Sequence, residues 1–473
     1  MVFSSPVFLF LFLPVALALY YAIPRKAKNA VLFALSLLFY GWGEPACLPV
    51  MLISLSAAYA LGFPIARLRG HRPRAVRALL LLSVSFSLAW LVFFKYTHFI
   101  FDNLQPLLDL IPGLSGLSAR LPVIGLPIGI SFYTFQILSY SVDLYRGDIP
   151  LQKNFVSFGL YIALFPQLIA GPIVRYADIH LQLTERRVTA DGLALGIRRF
   201  IIGLGKKVLL GDLLAALCAY YKSALALEPT ALSCWMILIS FSLHIYFDFS
   251  GYSDMAIGLG RMFGFSFPEN FNYPYLATSI TDFWRRWHIT LSTWFREYVY
   301  IPLGGNRGSR WRRWRNLAAV WLLTGLWHGA SWNFVLWGGF FLVFLILEKS
   351  FLLERLRRHP ALGRIYALFL VGVAWMLFDN TDLSVAVGII GGLFGLGVPA
   401  AASALQLYEL YHALPLLFVS AVAATPFPVR LVDKLRRHTP WNWAEPVLLL
   451  LLLTVGVAYS VSSGFSPFLY FNF

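Results

Sequence analysis

Charge is scarce in this chain, and acidic charge is scarcest. Only 13% of the 473 residues are charged, with 22 aspartates and glutamates against 38 lysines and arginines; soluble domains carry about 25%. So little charge leaves too little polar surface to clothe the two or three soluble domains this length would otherwise suggest. Cysteine is nearly missing as well. Cys47, Cys218 and Cys234 lie in apolar stretches at no metal-ligand spacing, which excludes a disulfide framework and a cysteine zinc site. There is no G-x-S-x-G elbow, P-loop, H-E-x-x-H or G-x-G-x-x-G after a strand, so hydrolase, ATPase, metalloprotease and dinucleotide readings lack support.

What the chain has is apolar length. Hydrophobic residues reach 59%, and runs such as Val2 to Ile23, Leu79 to Phe94 and Val447 to Val461 approach the roughly 20 residues that cross a hydrocarbon core. The first run lacks a basic start and an A-x-A site, and Arg25, Lys26 and Lys28 follow it; it is expected to remain as a helix and not to be cleaved as a signal peptide. The net charge of +16 sits in short loops between spans. That is the positive-inside pattern, not a nucleic-acid surface.

Loop charges predict a topology with the N-terminus outside. Spans are expected at about 2–23, 29–42, 47–66, 78–96 and 123–142, with a re-entrant segment at 155–172 because basic residues flank it on both sides. Spans at 207–222 and 230–249 follow, then a basic cytoplasmic stretch, 265–316, in which only Glu297 opposes the eight basic residues from Arg285 to Arg315. Residues 317–348 are apolar yet have basic residues at both ends. Two full passes need about 40 residues, so this segment predicts a hairpin turning within the bilayer at Trp327–Asn333, where Gly329, Ala330 and Ser331 suit a tight bend. Spans at 363–378, 403–424 and 446–464 and an interfacial piece at 383–396 complete about ten full and two partial passes, with the C-terminus outside. No internal repeat, low-complexity tract or second domain is visible over 1–473.

Three of the nine histidines fall where polar groups are costly and hence functional candidates. His328 is predicted at the hairpin tip, flanked by Trp327 and Trp332 as a dry aromatic wall. A neutral imidazole there is suited to act as a general base on a hydroxyl attacking a thioester, with Asn333 or a backbone donor holding the oxyanion. His244 lies four residues from Asp248 and shares a helix face with it; Asp254 is expected to begin or bend a new helical piece after Gly251. These polar groups also fit the plainer role of hydrogen-bonded glue between helices. His288 lies among aromatics and arginines in 281–307. That stretch reads either as an interfacial helix meeting lipid headgroups or as a donor site, since arginine forks match phosphates and Gly304, Gly305 and Asn306 allow close backbone approach.

At these residues the chain resembles the membrane-bound O-acyltransferases, and within them the AlgI-like polysaccharide O-acetyltransferases. The resemblance runs through LPIGISFYTFQILSYSVDLYRG at 126–147, FPQLIAGPIVR at 165–175, YFDFSGYSDMAIGLGRMFGFSFPENFNYPY at 246–275, DFWRRWHITLSTWFREYVYIPLGGNR at 282–307, GLWHGASWNF at 325–334 and SPFLYFNF at 466–473. It implies an all-α integral membrane bundle around a transmembrane tunnel, forming one domain over 1–473. It implies His328 as the catalytic histidine and His288 as the second polar position of the site. Acetyl-CoA is the implied donor, reached by Arg285, Arg286, Arg296, Asn306 and Trp287, with Asn333, Asp248 and Asp254 as supporting groups and no metal. It implies a bacterial inner-membrane location with both termini periplasmic. A periplasmic SGNH-type acetyltransferase, the polysaccharide secretion machinery and membrane lipids are the implied partners, and alginate a candidate polymer. Two alternatives stand beside this reading: D-alanyl transfer to teichoic acid within the same superfamily, and a transporter of polysaccharide or lipid-linked sugar whose broken helices need no catalytic histidine.

Overall fold

The structure, a computed structural model, describes residues 2–438, 440–462 and 468. It is all-helical, and among the described residues the only bridge between extended strands is a single pair, Thr230 with Ala400. The expected exit of the chain at the C-terminus and most of the SPFLYFNF motif lie outside the described residues.

Among the described residues, seven helices are long and apolar enough to cross a membrane: Pro45–Leu68, Pro73–Leu108, Ala231–Met262, Trp332–Arg358, Pro360–Asp379, Ala404–Ala423 and Trp441–Ser462. The predicted spans at 29–42, 123–142 and 207–222 also form helices, Lys28–Gly43, Ile130–Arg146 and Asp212–Leu227. At 16 and 17 residues and 1.5 Å per residue the first two reach only about 25 Å, short of the roughly 30 Å core, whereas Asp212–Leu227 continues without a break from Ala190–Gly205 through the π-turn Lys206–Gly211. The 155–172 segment is broken: Phe155–Ala163 stops at Leu164, the four-residue Phe165–Leu168 follows, and the chain then leaves helix. Residues 157–174 are all buried, the condition under which irregular backbone is tolerated at depth.

The most extensive helix packing joins Ala190–Gly205 to Ala231–Met262. Its cause is a glycine seam. A Cβ on Gly203 would come 2.6 Å from the carbonyl oxygen of Gly251, and one on Gly196 would come 2.7 Å from that of Gly258. Small residues here let two backbones touch, the usual device where lipid removes the hydrophobic drive between helices. The expected break after Gly251 does not occur: one helix runs unbroken for 32 residues. Gly251 marks a contact with the neighbouring backbone, not a bend.

The same seam carries the ion pairs. Asp254 accepts from Arg199 at 2.8 Å and from Lys206 at 2.7 Å, and Asp248 pairs with Lys207 at 3.1 Å. His244 turns its Nδ1 to the carbonyl oxygen of Gly211, 2.9 Å away. The histidine and the aspartate one turn apart each have a partner across the helix boundary, and Asp248 and Asp254 lock helices together at this seam.

The predicted hairpin is present. Helix Arg310–His328 turns at residues 329–331 into Trp332–Leu347, and the two pack along their length. Its arms are longer than the apolar run, because the basic residues Arg310 to Arg315 are helical too. The tip therefore stands 19 residues, about 28 Å, from the start of the hairpin, and the second arm continues to Arg358 and is itself long enough to cross. The turn lies farther from the basic end than an apolar count of 32 residues implies.

Candidate active site

His328 is the last residue of its helix and is 2% exposed. Its ring meets Trp327 and Trp337, each at 4.9 Å between centroids, and Phe378 at 5.3 Å. The aromatic wall thus exists and includes Trp327 as expected, but Trp332 has no part in it. Trp332 faces outward, 54% exposed, with its Nε1 donating to Asn103. The replacement, Trp337, lies nine residues past His328 on the returning arm, a relation visible only once the hairpin is closed.

Two neighbouring side chains hold the end of this helix. Lys95 Nζ donates to the carbonyl oxygens of Trp327 and His328, and Tyr96 Oη donates to that of Leu326 at 2.6 Å. The last carbonyls of a helix have no partner within it and attract cations. Lys95 and Tyr96 come from a π-turn, Val92–Tyr96, a local widening that often marks a functional position.

His288 is fully buried and stands at φ 43, ψ 54, a left-handed conformation that costs a non-glycine residue about 1–2 kcal/mol. The cause is its place between two short helices, Ile280–Arg286 and Ile289–Phe295, where the chain must turn in one residue. The turn is pinned from loop 263–275. Asn272 N donates to the carbonyl oxygen of Arg286, and Ile289 N donates to that of Asn270. Asn270 Oδ1 then lies 3.1 Å from His288 Nδ1 while also accepting from the backbone N–H of Thr290 and from its hydroxyl. An N–H can only donate, so this atom of Asn270 is its oxygen, and His288 Nδ1 must carry the proton. The lone pair is left on Nε2, which has no hydrogen-bond partner among the described residues. His288 lies outside the seven candidate spans, and burial pushes its imidazole below the ordinary histidine range, to about 3; it is neutral.

The two imidazoles share one neighbour. Trp327 stands 4.9 Å from His328 and 6.0 Å from His288 between ring centroids. The indole N–H groups of Trp327, Trp337, Trp284 and Trp375 are buried with no acceptor among the described residues. A buried unmatched donor is costly; Trp327 and Trp337 meet His328 directly, and Trp284 and Trp375 stand one ring further out against Trp337.

The remaining sequence-based candidates fall elsewhere. Asn333 is buried and its amide donates to the carbonyl oxygens of Leu377 and Phe378, so its hydrogens are already engaged and the neighbouring indoles are the better placed donors. Trp287 is 1% exposed and stacks on Phe283 and Trp375, a core position. Arg285 is exposed, Arg296 pairs with Glu297 at 2.9 Å, and Asn306 accepts from Tyr300. Arg286 pairs with Asp282 at 3.0 Å and lines a cleft with Arg364 and Arg430. The three predicted donor arginines are therefore not brought together; one of them joins Arg430, read from the sequence only as a loop charge, and Arg364, which falls inside the expected span at 363–378. Among the described residues no group of three metal-ligating side chains occurs.

A family model described as MBOAT, membrane-bound O-acyltransferase family, matches residues 130–378, an interval holding both histidines and the hairpin. The protein named probable alginate O-acetylase AlgI of Azotobacter vinelandii is 43% identical over 398 residues, 84% of this chain and 79% of the relative. The one of the same name from Pseudomonas putida is 38% identical over the full length of both. A peptidoglycan O-acetyltransferase of Helicobacter pylori is 32% identical over all of this chain and 98% of its own.

Proposed function

Because the chain belongs to the membrane-bound O-acyltransferase family, we propose that it takes acetyl from acetyl-CoA on the cytoplasmic side of the bacterial inner membrane and passes it across for O-acetylation of an exported polysaccharide. The protein is a multi-pass membrane acyltransferase; the donor, the direction and the acceptor are the proposed parts. Relatives named for alginate and for peptidoglycan acetylation support a cell-envelope polymer, with alginate as the first candidate. A periplasmic SGNH-type acetyltransferase is the proposed recipient that carries the group onward.

The observation that carries the mechanism is Trp327 standing between His288 and His328. His328 takes the proton of the attacking hydroxyl as its oxygen bonds to the thioester carbonyl carbon. The developing oxyanion is met by an indole N–H of Trp327 or Trp337. As the C–S bond breaks, the thiolate of the departing coenzyme recovers the proton from His328 and leaves as a free thiol. His288 accepts at Nε2, so it orients a substrate N–H or O–H group and does not supply a proton. His288, His328 and Trp327 are buried, and exclusion of water makes polar interactions here stronger than at a surface.

The test is acetyl transfer by purified protein in proteoliposomes with labelled acetyl-CoA inside and acceptor outside. His328→Ala should insert and remain monodisperse, yet lose about 10²–10⁴-fold in rate. Transfer at the wild-type rate would remove His328 from the chemistry. Movement of sugar with no acetylated product would favour the transporter alternative.

A further inference from the structure

Arg286, Arg364 and Arg430 come from stretches far apart in sequence and line one cleft of about 490 Å³ with Asn272, Tyr273 and Asp282. The charges do not balance. Asp282 pairs with Arg286, and no ion pair to Arg364 or Arg430 occurs among the described residues. Two exposed guanidinium groups facing a paired third leave a local excess of positive charge that an anion would relieve. Arginine forks fit phosphate oxygens two at a time. The volume lies within the range of organic-ligand pockets and is too large for inorganic phosphate alone.

The cleft is also tied to the histidine site. Its wall includes Asn272 and Arg286, the two residues joined by a backbone hydrogen bond of 2.9 Å, and the next rung of that ladder is Ile289 with Asn270 at 3.0 Å. Asn270 holds His288. A ligand anchored by its anionic end in the cleft thus sits on the same short ladder that fixes His288, two residues along. The rim supplies a competing source of phosphate. Helix Phe427–Leu435 carries Arg430 beside the exposed apolar residues Phe427, Val429 and Leu431, a composition suited to a membrane surface.

We infer that this cleft seats the phosphate-bearing end of a nucleotide-linked thioester, with Arg364 and Arg430 as its principal anion contacts and the acyl end extending towards His288. This rests on the acyl-donor reading above, and a lipid headgroup is the rival occupant.

The experiment compares kcat/KM for acetyl-CoA with that for acetyl-pantetheine, which lacks the phosphates, in nanodiscs of neutral lipid and of lipid containing phosphatidylglycerol. The double variant R364Q/R430Q should narrow the preference for acetyl-CoA at least tenfold, chiefly through KM, and R364K/R430K should restore part of it. The ratio is independent of how much protein is correctly folded. Arg74→Gln, at an exposed arginine in the first turn of helix Pro73–Leu91, should leave it as in the wild type. An unchanged ratio in R364Q/R430Q, with acetyl-CoA still a good donor, would overturn the cleft and leave the donor reading standing. Loss of dependence on phosphatidylglycerol with no change in the ratio would assign the cleft to lipid and overturn it too. A wild-type protein that cannot use acetyl-CoA at all would sink the donor reading and this inference together.

Discussion

Lys95 Nζ stands 2.5 Å from the carbonyl oxygen of Trp327, at the end of the helix that delivers His328. Its hydrogen bonds go to the backbone carbonyls of Trp327 and His328, and its Nζ also lies 6.0 Å from the centroid of the Trp327 ring. Lys95→Met removes two hydrogen bonds worth about 1–3 kcal/mol together, at about 0.5–1.5 each, and releases the carbonyls they hold. The expected result is a fall in kcat of about tenfold or more, since 1.4 kcal/mol is a factor of ten in rate, with KM for the donor little changed. Lys95→Arg should recover part of the loss. Steady-state kinetics of the three proteins checks this, and an equal loss in kcat and in folded yield would reduce Lys95 to a structural role.

Asn270 fixes which nitrogen of His288 is free. Asn270→Ala should lower kcat about tenfold, because Nε2 then competes with Nδ1 for the proton and is no longer assured as an acceptor. Asn270→Asp is the sharper variant. It keeps the acceptor but makes it an anion, and an adjacent negative charge favours the protonated imidazole. Burial holds His288 below the ordinary range, so the aspartate should raise its pKa, and the acid limb of the pH–rate profile should move upward. A profile identical to that of the wild type would separate Asn270 from the titration of His288.

Glu348 is 1% exposed, and its carboxylate accepts from the backbone N–H of Ile280 and Thr281 and from the Thr281 hydroxyl, at 2.6–2.8 Å. It closes the start of the helix that leads to His288. Glu348→Ala leaves three buried donors unmatched, and the expected cost is about 2–4 kcal/mol at about 1–3 per group with partial relaxation. Thermal unfolding in detergent, followed by size-exclusion fluorescence, should show a lowered midpoint, with Glu348→Gln intermediate.

The sequence made the membrane character and the hairpin legible because both rest on quantities that are additive along the chain: apolar length and loop charge. His288 and His328 stood out because a polar group in an apolar stretch is conspicuous alone. What supports them was hidden. Asn270 is 18 residues from His288 in a loop with no periodicity, and Lys95 looked like the end of a span. Trp332 is nearer to His328 in sequence than Trp337, yet the turn sends it outward. Arg430 was counted as a topological charge, a reading that registers sign and ignores direction, and Arg364 was passed over inside an expected span. Gly251 looked like a break because an isolated glycine weakens a helix; only its partner Gly203 shows that it is a seat.

The glycine seam also limits how the protein can move. Helices in contact through backbone atoms at two levels, bolted at Asp248 and Asp254, cannot slide or roll past each other without collision. A machine that shuttles cargo by rocking its halves needs a lubricated plane of bulky, interchangeable side chains, and this plane is welded. Any motion that admits or releases a substrate must then carry these two helices together as one stiff unit.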